Sequence, residues 1–304
     1  MDDLPLATSA SGGGAASSTK SATESVAESV AESGTTVSDP GLAGEEQSEI
    51  EPASDGGSET DSALGVEQDR LAPVEKDANI QRILDLGTGT GIWAMDIGDE
   101  FPEAEVIGVD LSPIQPSYVP PNVRFIIDDV EDEWDYPSQL DFVFGRMLVG
   151  SISNWPKLMA QSYDNLRSGG WLELQDIVLQ PQCADGTLKE DSFIKKWADE
   201  MLTATANINR YADSGLFYKQ QMIDAGFVNV TEVVYKWPTN TWPKNEPYRE
   251  LGFWSFQNIA GELEGLSLAL FTRSLGWSAD SVMIFLTEVR KAMADKSVHV
   301  WWPM

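Results

Sequence analysis

Asp85-Leu86-Gly87-Thr88-Gly89-Thr90-Gly91 sets three glycines at alternate positions between an apolar run and a helix-like stretch. Alternating glycines let a backbone turn sharply and approach a ligand closely, where a Cβ would clash. A helix beginning just behind them offers N–H groups with no partner inside the helix. This suits the holding of a small polar ligand against backbone. A dinucleotide-binding loop would read G-x-G-x-x-G, with a pyrophosphate at the helix start. Here the spacing is G-x-G-x-G, and Ile92 stands where the last glycine is expected. The acidic Asp85 ahead of the glycines also fits an ammonium better than a phosphate. A nicotinamide enzyme is disfavoured on that register.

Further polar residues follow successive apolar runs. Asp110, with Leu111 behind it, ends Val106-Ile107-Gly108-Val109. Both oxygens of such a carboxylate can accept from the two hydroxyls of a ribose. Asp129 follows Val123-Arg124-Phe125-Ile126-Ile127, placed to accept from the amino group of a base lying beside the Val130 backbone. Arg146 follows Asp141-Phe142-Val143-Phe144. Each has a plainer reading beside the functional one. Asp85 is equally a strand-end cap, and Asp110 the N-cap of a loop turn. Asp128 and Asp129 belong to an acidic run with Glu131, Asp132 and Glu133 that a solvated face would also show. Arg146 could pair with any of these carboxylates. In order, at successive strand ends, they read together as one cofactor site. No catalytic residue stands out. Cys183 has no second Cys and no His near it in sequence, which supports neither a nucleophile nor a metal site. His299, the only histidine, reads as a structural residue in a C-terminal edge strand.

The elements that must position these residues alternate. Arg82-Ile83-Leu84-Asp85-Leu86 reads as a buried parallel strand, and residues 92–97 as the helix after it. Strands are expected at 106–110, 123–127, 141–144 and 171–174. A helix is expected from Pro156, well placed in a first turn, to Leu166, with Gly169 as its cap. Strands alternating with helices argue for a doubly wound α/β sheet. A helical insertion is expected at 191–207, and two more helices at 262–275 and 278–295, the latter capped by Ser278 with Asp280 in its first turn. Residues 226–235 and 298–302 read as two strands that pair at one edge of the sheet. Trp197, Trp242, Phe253, Trp254 and Phe271 are candidates for an apolar substrate pocket and, with more weight, for core.

The 304-residue chain carries a formal net charge of −29. Residues 1–80 contain no aromatic residue and hold 17 acidic against three basic side chains. Such a stretch buries too little apolar surface to offset its ordering entropy, so residues 1–78 are expected to be a disordered acidic tail and residues 79–304 a single folded domain. Glu24-Ser-Val-Ala-Glu28-Ser-Val-Ala-Glu32 reads as low complexity within that tail. A surface this acidic repels phosphate backbones, so direct nucleic-acid binding is not expected. A single cysteine, a start without a basic and apolar leader, and no apolar run of roughly 18 residues point to an intracellular protein, cytoplasmic or nuclear, without a membrane anchor.

The order of these residues resembles class I methyltransferases and, more narrowly, the fungal LaeA-like family of secondary-metabolism regulators and related methyltransferases. The resemblance rests on Ile83-Leu-Asp-Leu-Gly-Thr-Gly-Thr-Gly-Ile-Trp93, Val106-Ile-Gly-Val-Asp-Leu-Ser-Pro-Ile-Gln-Pro116, Asp128-Asp129 with Trp134, and Arg146 through Trp155. Leu166-Arg-Ser-Gly-Gly-Trp171, Leu270-Phe-Thr-Arg-Ser-Leu-Gly-Trp277 and Pro303-Met304 extend it over residues 80–304. It implies a Rossmann-like, seven-stranded sheet with helical insertions, and S-adenosyl-L-methionine as cofactor. It further implies that Asp85, Gly87, Thr88, Gly89 and Gly91 hold the methionine part, Asp110 and Leu111 the ribose, and Asp129 with Val130 the adenine, with Arg146 at the same edge. A methyl acceptor follows, either a small molecule or, for a regulator working in a nuclear complex, a protein. A non-catalytic interaction module is the remaining alternative. Members of that family carry an aromatic, His-containing segment ahead of the first strand that is expected to cover the cofactor. Here Glu67-Gln68-Asp69-Arg70-Leu71 runs directly into Ala72-Pro73, so that cover is expected to be lacking.

Overall fold

The computed structural model of the chain describes Arg70, Ala72 and residues 79–137 and 139–304. The expected acidic tail lies outside the described residues, as does the Glu67-to-Pro73 junction apart from Arg70 and Ala72.

Five parallel strands carry the site. They are β1 (Arg82–Leu86), β2 (Glu105–Asp110), β3 (Val123–Ile127), β4 (Leu140–Arg146) and β5 (Leu166–Gln175), in the spatial order β3-β2-β1-β4-β5. Chain order reverses at β1, so the sheet is doubly wound. Alternate side chains enter different cores. Ile83, Val106, Phe142 and Phe144 join Trp93, Ala94 and Ile97 of α1 (Ile92–Glu100) on one face. Leu84, Leu86, Ile107, Val109 and Val143 join Trp155, Leu158 and Met159 of α2 (Trp155–Asn165) on the other. Strands buried on both faces need continuous apolar runs, which is the pattern of β1, β2 and β4. Trp93 stacks on Phe144 with ring centroids 3.9 Å apart.

A third core joins α3 (Phe193–Asn207), α6 (Leu263–Ser274) and α7 (Ala279–Ala294) around the fully buried Trp197, Phe271 and Trp302. Two of the aromatics considered for a pocket are therefore core. Phe253 and Trp254 are exposed on α5 (Glu246–Gly261), a helix the sequence reading did not contain. Trp242 donates to Val300 O and packs beside His299. Ser278 caps α7 by accepting from Ser281 N, as expected. Among the described residues no helix is long and apolar enough to cross a membrane.

Three expectations need correction. The seven strands form two sheets, because β6 (Lys236–Pro238) and β7 (Trp301–Pro303) pair antiparallel with each other and join no strand of the five-stranded sheet. Residues 227–235 form no strand, and Val228, Val233 and Val234 are exposed. Their β-branched composition lacks the packing surface that makes such residues favour a sheet. Gly169 does not cap α2, which ends at Asn165 with Leu166 already extended. Gly169 (φ +83°) lies instead in a register break of β5, where Leu140 pairs with Leu166 but Phe142 with Trp171, and where Arg167 pairs with Asp141.

A buried bond joins α3 to α6 within this layer, from Trp197 Nε1 to Ser267 Oγ at 2.8 Å. Ser267→Ala is expected to leave that indole N–H unpaired and to destabilise the protein by about 1–3 kcal/mol, read from the denaturant midpoint at unchanged m.

Candidate functional site

β1 through β4 end level with one another. Leu86 pairs with Val109 on one side and Gly145 on the other, and Asp110 pairs with Ile127. The residues that follow these strands therefore meet at one edge. In open α/β sheets that carboxyl edge, where the strand order reverses, is where ligands lie.

The β1–α1 loop turns through three glycines in the left-handed region, Gly87 (φ +64°), Gly89 (φ +57°) and Gly91 (φ +81°). At Gly91 a Cβ would come within 2.3 Å of the Phe125 ring, so that position is closed to side chains by contact as well as by φ. At Gly89 nothing lies within 4 Å of a Cβ, leaving open space against bare backbone. Gly91 stands at the N-terminus of α1 without any side-chain cap, so the first N–H groups of that helix face the loop.

Asp110 holds the loop in place. Its Oδ2 accepts from Gly89 N at 2.8 Å and its Oδ1 from Ser112 N at 2.9 Å. Gln115 adds a second tie, donating from Nε2 to Gly89 O at 2.7 Å and to Ser112 O at 2.9 Å. Sequence reasoning missed Ser112 and Gln115. Their signal was present, since they stand two and five residues after the strand-end Asp110. Leu111 and Ile92 flank the loop with 56% and 60% of their surface exposed.

Asp85 is buried beneath the loop and accepts from Thr88 Oγ1 at 2.6 Å. Burial pushes its pKa up to about 7, against the lowering effects of the Thr88 bond and the Arg146 charge. Arg146 itself is exposed at the end of β4, with its guanidinium 5.8 Å from the Phe144 ring centroid. Asp129 is half-buried and its Oδ1 accepts from Glu131 N at 2.9 Å. Val130 is buried in the core, and its carbonyl accepts from Trp134 Nε1 at 2.9 Å. The residues expected to hold a cofactor thus lie along the ends of β3, β2, β1 and β4, whereas Cys183, His299 and the candidate pocket aromatics lie elsewhere.

The next strand end holds a group that sequence reasoning did not assign. Asp176, directly after β5, is buried, accepting from Val149 N at 2.9 Å and from Tyr218 Oη at 2.6 Å. Burial raises its pKa to about 7, opposed by those same donors. The rule that identified Asp110, an acid just past a strand, would have found it. Glu131 takes Ser153 N, Ser153 Oγ and Asn154 N on one oxygen and Arg210 on the other. Those donors outweigh burial and hold its carboxyl below the usual range.

The Cys183 reading also changes. Cys183 Sγ donates to Asp185 Oδ1 at 3.1 Å, and Asp185 Oδ2 bonds His299 Nδ1, so thiol and imidazole share one carboxylate. Among the described residues no group of three His, Cys, Asp or Glu side chains could hold a metal ion.

The raised Asp85 pKa has a consequence for stability. A folded-state pKa above the unfolded value means that the folded protein binds more protons between the two, so its stability falls as pH rises through that window. Asp85→Asn removes this site's share. The variant is expected to gain stability relative to the parent between about pH 4 and about pH 7 and to hold that gain above, in urea unfolding across that range.

A family model described as a methyltransferase domain matches residues 59–232. The chain is 40% identical over 232 residues to methyltransferase pytC of Aspergillus terreus, covering 76% of this chain and 72% of that one. It is 36% identical over 235 residues to the secondary metabolism regulator LAE1 of Cochliobolus heterostrophus, covering 76% of each. A probable methyltransferase of Emericella nidulans, tdiE, is 34% identical over 227 residues, 74% of this chain and 71% of that one. The chain belongs to the methyltransferase domain family and, within it, to the LaeA-like S-adenosylmethionine-dependent methyltransferases.

Proposed function

We propose that this chain transfers the methyl group of S-adenosylmethionine to a small-molecule acceptor, with the cofactor held along the ends of β1, β2 and β3. The observation that carries the reading is the Asp110 carboxylate. Each of its oxygens already takes one backbone N–H, which fixes the loop, and each keeps a second lone pair for a ribose hydroxyl. Gly87, Gly89, Gly91 and Thr88 give the methionine part a backbone cradle, open above Gly89 where a side chain would stand. Leu111 and Ile92 offer apolar surface beside it, and Asp129 with the Val130 backbone offers an acceptor and a peptide edge to the adenine.

Asp85 acts through its field rather than by contact, because it is buried under the loop. An ammonium bound above favours its ionised form, and the ionised form in turn favours the ammonium. Arg146 balances that charge from the β4 side. S-adenosylmethionine supplies an electrophilic methyl on a sulfonium, and its transfer is an in-line displacement for which alignment gives much of the rate. The protein's part is therefore to hold donor and acceptor in line. A base is needed only for an acceptor that must lose a proton early. The likeness to pytC, named a methyltransferase, and to LAE1, named a secondary metabolism regulator, supports an acceptor within fungal secondary metabolism.

Calorimetric titration of the purified chain with S-adenosylmethionine, beside an Asp110→Ala variant, tests this reading. Saturable binding is expected for the parent, weakened at least about a hundredfold in the variant, because two loop bonds and the ribose acceptor go together. Equal binding by both proteins would sink the assignment.

A further inference from the structure

Residues 208–218 leave α3 and cross three strand ends before entering α4 (Tyr218–Ala225). Every crossing is pinned. Arg210 Nη1 donates to Glu131 Oε2, after β3, at 3.2 Å, and Asn209 Nδ2 to Ser153 O, after β4, at 3.3 Å. Leu179 N donates to Ala212 O at 3.1 Å and Gln180 Nε2 to Asp213 Oδ2 at 3.2 Å, both after β5. Tyr218 Oη closes the run on Asp176, with Ser214 Oγ 3.1 Å from the same hydroxyl. Asp176 also holds Val149 N, so one buried carboxyl ties this strap to the loop that follows Arg146.

The strap spends its polar side chains on the fold and leaves its large apolar ones outside. Ile208, Tyr211, Leu216 and Phe217 are 46%, 43%, 51% and 53% exposed, and none belongs to any of the three cores. Met147, next to Arg146 at the end of β4, is 49% exposed as well. Single exposed apolar residues are ordinary; four within ten residues, on a segment anchored across a ligand-binding edge, are a surface with a use. The strap's own charges, Arg210 and Asp213, are both engaged, so it presents no charge to an acceptor. Asp128 and Asp129 lie beyond it and repel anions.

We propose that residues 208–218 form the acceptor-binding lip of this site and that the acceptor is a neutral, largely apolar small molecule. The proposal rests on the methyl-transfer reading and adds the class of substrate to it. Asp176 and Tyr218 are positioning residues that keep the strap and the β4 loop in one geometry.

The test uses the full chain, 2-naphthol as a neutral planar probe, and equilibrium dialysis with and without saturating S-adenosylhomocysteine. S-adenosylhomocysteine binding is measured first, by calorimetry. The variants are the exposed pair Leu216→Ser with Phe217→Ser and, as a distant control on α7, Ile284→Ser, where the parent side chain is 71% exposed. The parent and the control are expected to bind naphthol alike. The strap variant should bind it about tenfold or more weakly while keeping its S-adenosylhomocysteine affinity. Naphthol binding that ignores the strap substitutions overturns the lip. So does a parent that binds S-adenosylhomocysteine and takes no naphthol, the result a macromolecular acceptor would give. A parent that binds no S-adenosylhomocysteine overturns the methyl-transfer reading, and the lip with it.

Discussion

A single carboxylate holds the ligand edge together. Asp110 accepts one backbone N–H on each oxygen, and by doing so joins the β1–α1 loop to the end of β2. The loop needs such a partner, because three glycines at positive φ give it little conformational preference of its own. Bonds from backbone N–H to an ionised acceptor are among the stronger hydrogen bonds available to a partly exposed site. Parallel pairing is what makes the clamp possible, because it ends β1 and β2 at the same height. Fold and site are therefore one argument: the register of two strands delivers an acid to a loop that could not order itself.

The two ends of the edge are built on different principles. At β1 and β2 the ties run between backbone and side chains, two of them across 21 and 26 residues of chain. At β5 they run between side chains far apart in the chain, as from Tyr218 to Asp176. Both ends carry a buried carboxyl pushed up to about 7, Asp85 on one side and Asp176 on the other. Neither charge is matched by a salt bridge; each is met by donors, Thr88 for the first and Val149 with Tyr218 for the second. A buried acid satisfied by neutral donors fixes geometry while its ionisation stays responsive to a cation arriving nearby.

How much of this was legible depended on sequence distance. β1, β2 and β4 were readable because a strand buried on both faces must be apolar throughout, and the glycine loop because its spacing is local. Ser278 as a cap was readable for the same reason. Residues 226–235 were read as a strand from their valines, yet β-propensity reflects a surface to pack on, and here those valines face outward. Gly169 resembled a helix cap because it follows a helix, while a register break in β5 uses its positive φ instead. The Asp185–His299 contact spans 114 positions, and no local pattern announces it. α5 escaped because Phe253 and Trp254 lie on its exposed side and blur the periodicity that marks an amphipathic helix.

Local and long-range ties suit different kinds of surface. A cofactor common to a family can be held by backbone geometry and one or two acids, and these must sit in a short, recognisable stretch. An acceptor surface, by contrast, can be assembled from whichever segments the fold brings to the free end of the edge. In this chain the strap of residues 208–218 occupies that end, pinned by long-range polar bonds and turning its apolar side chains outward. Pinning matters as much as composition. A mobile apolar segment would collapse onto the nearest core, as burial of each large side chain is worth about 1.5–3 kcal/mol. Ile208, Leu216 and Phe217 stay exposed because Arg210, Asn209, Asp213 and Tyr218 are tied to separate strand ends and hold the backbone away from that outcome. The polar network beneath the strap is thus the physical condition for the exposed apolar surface above it.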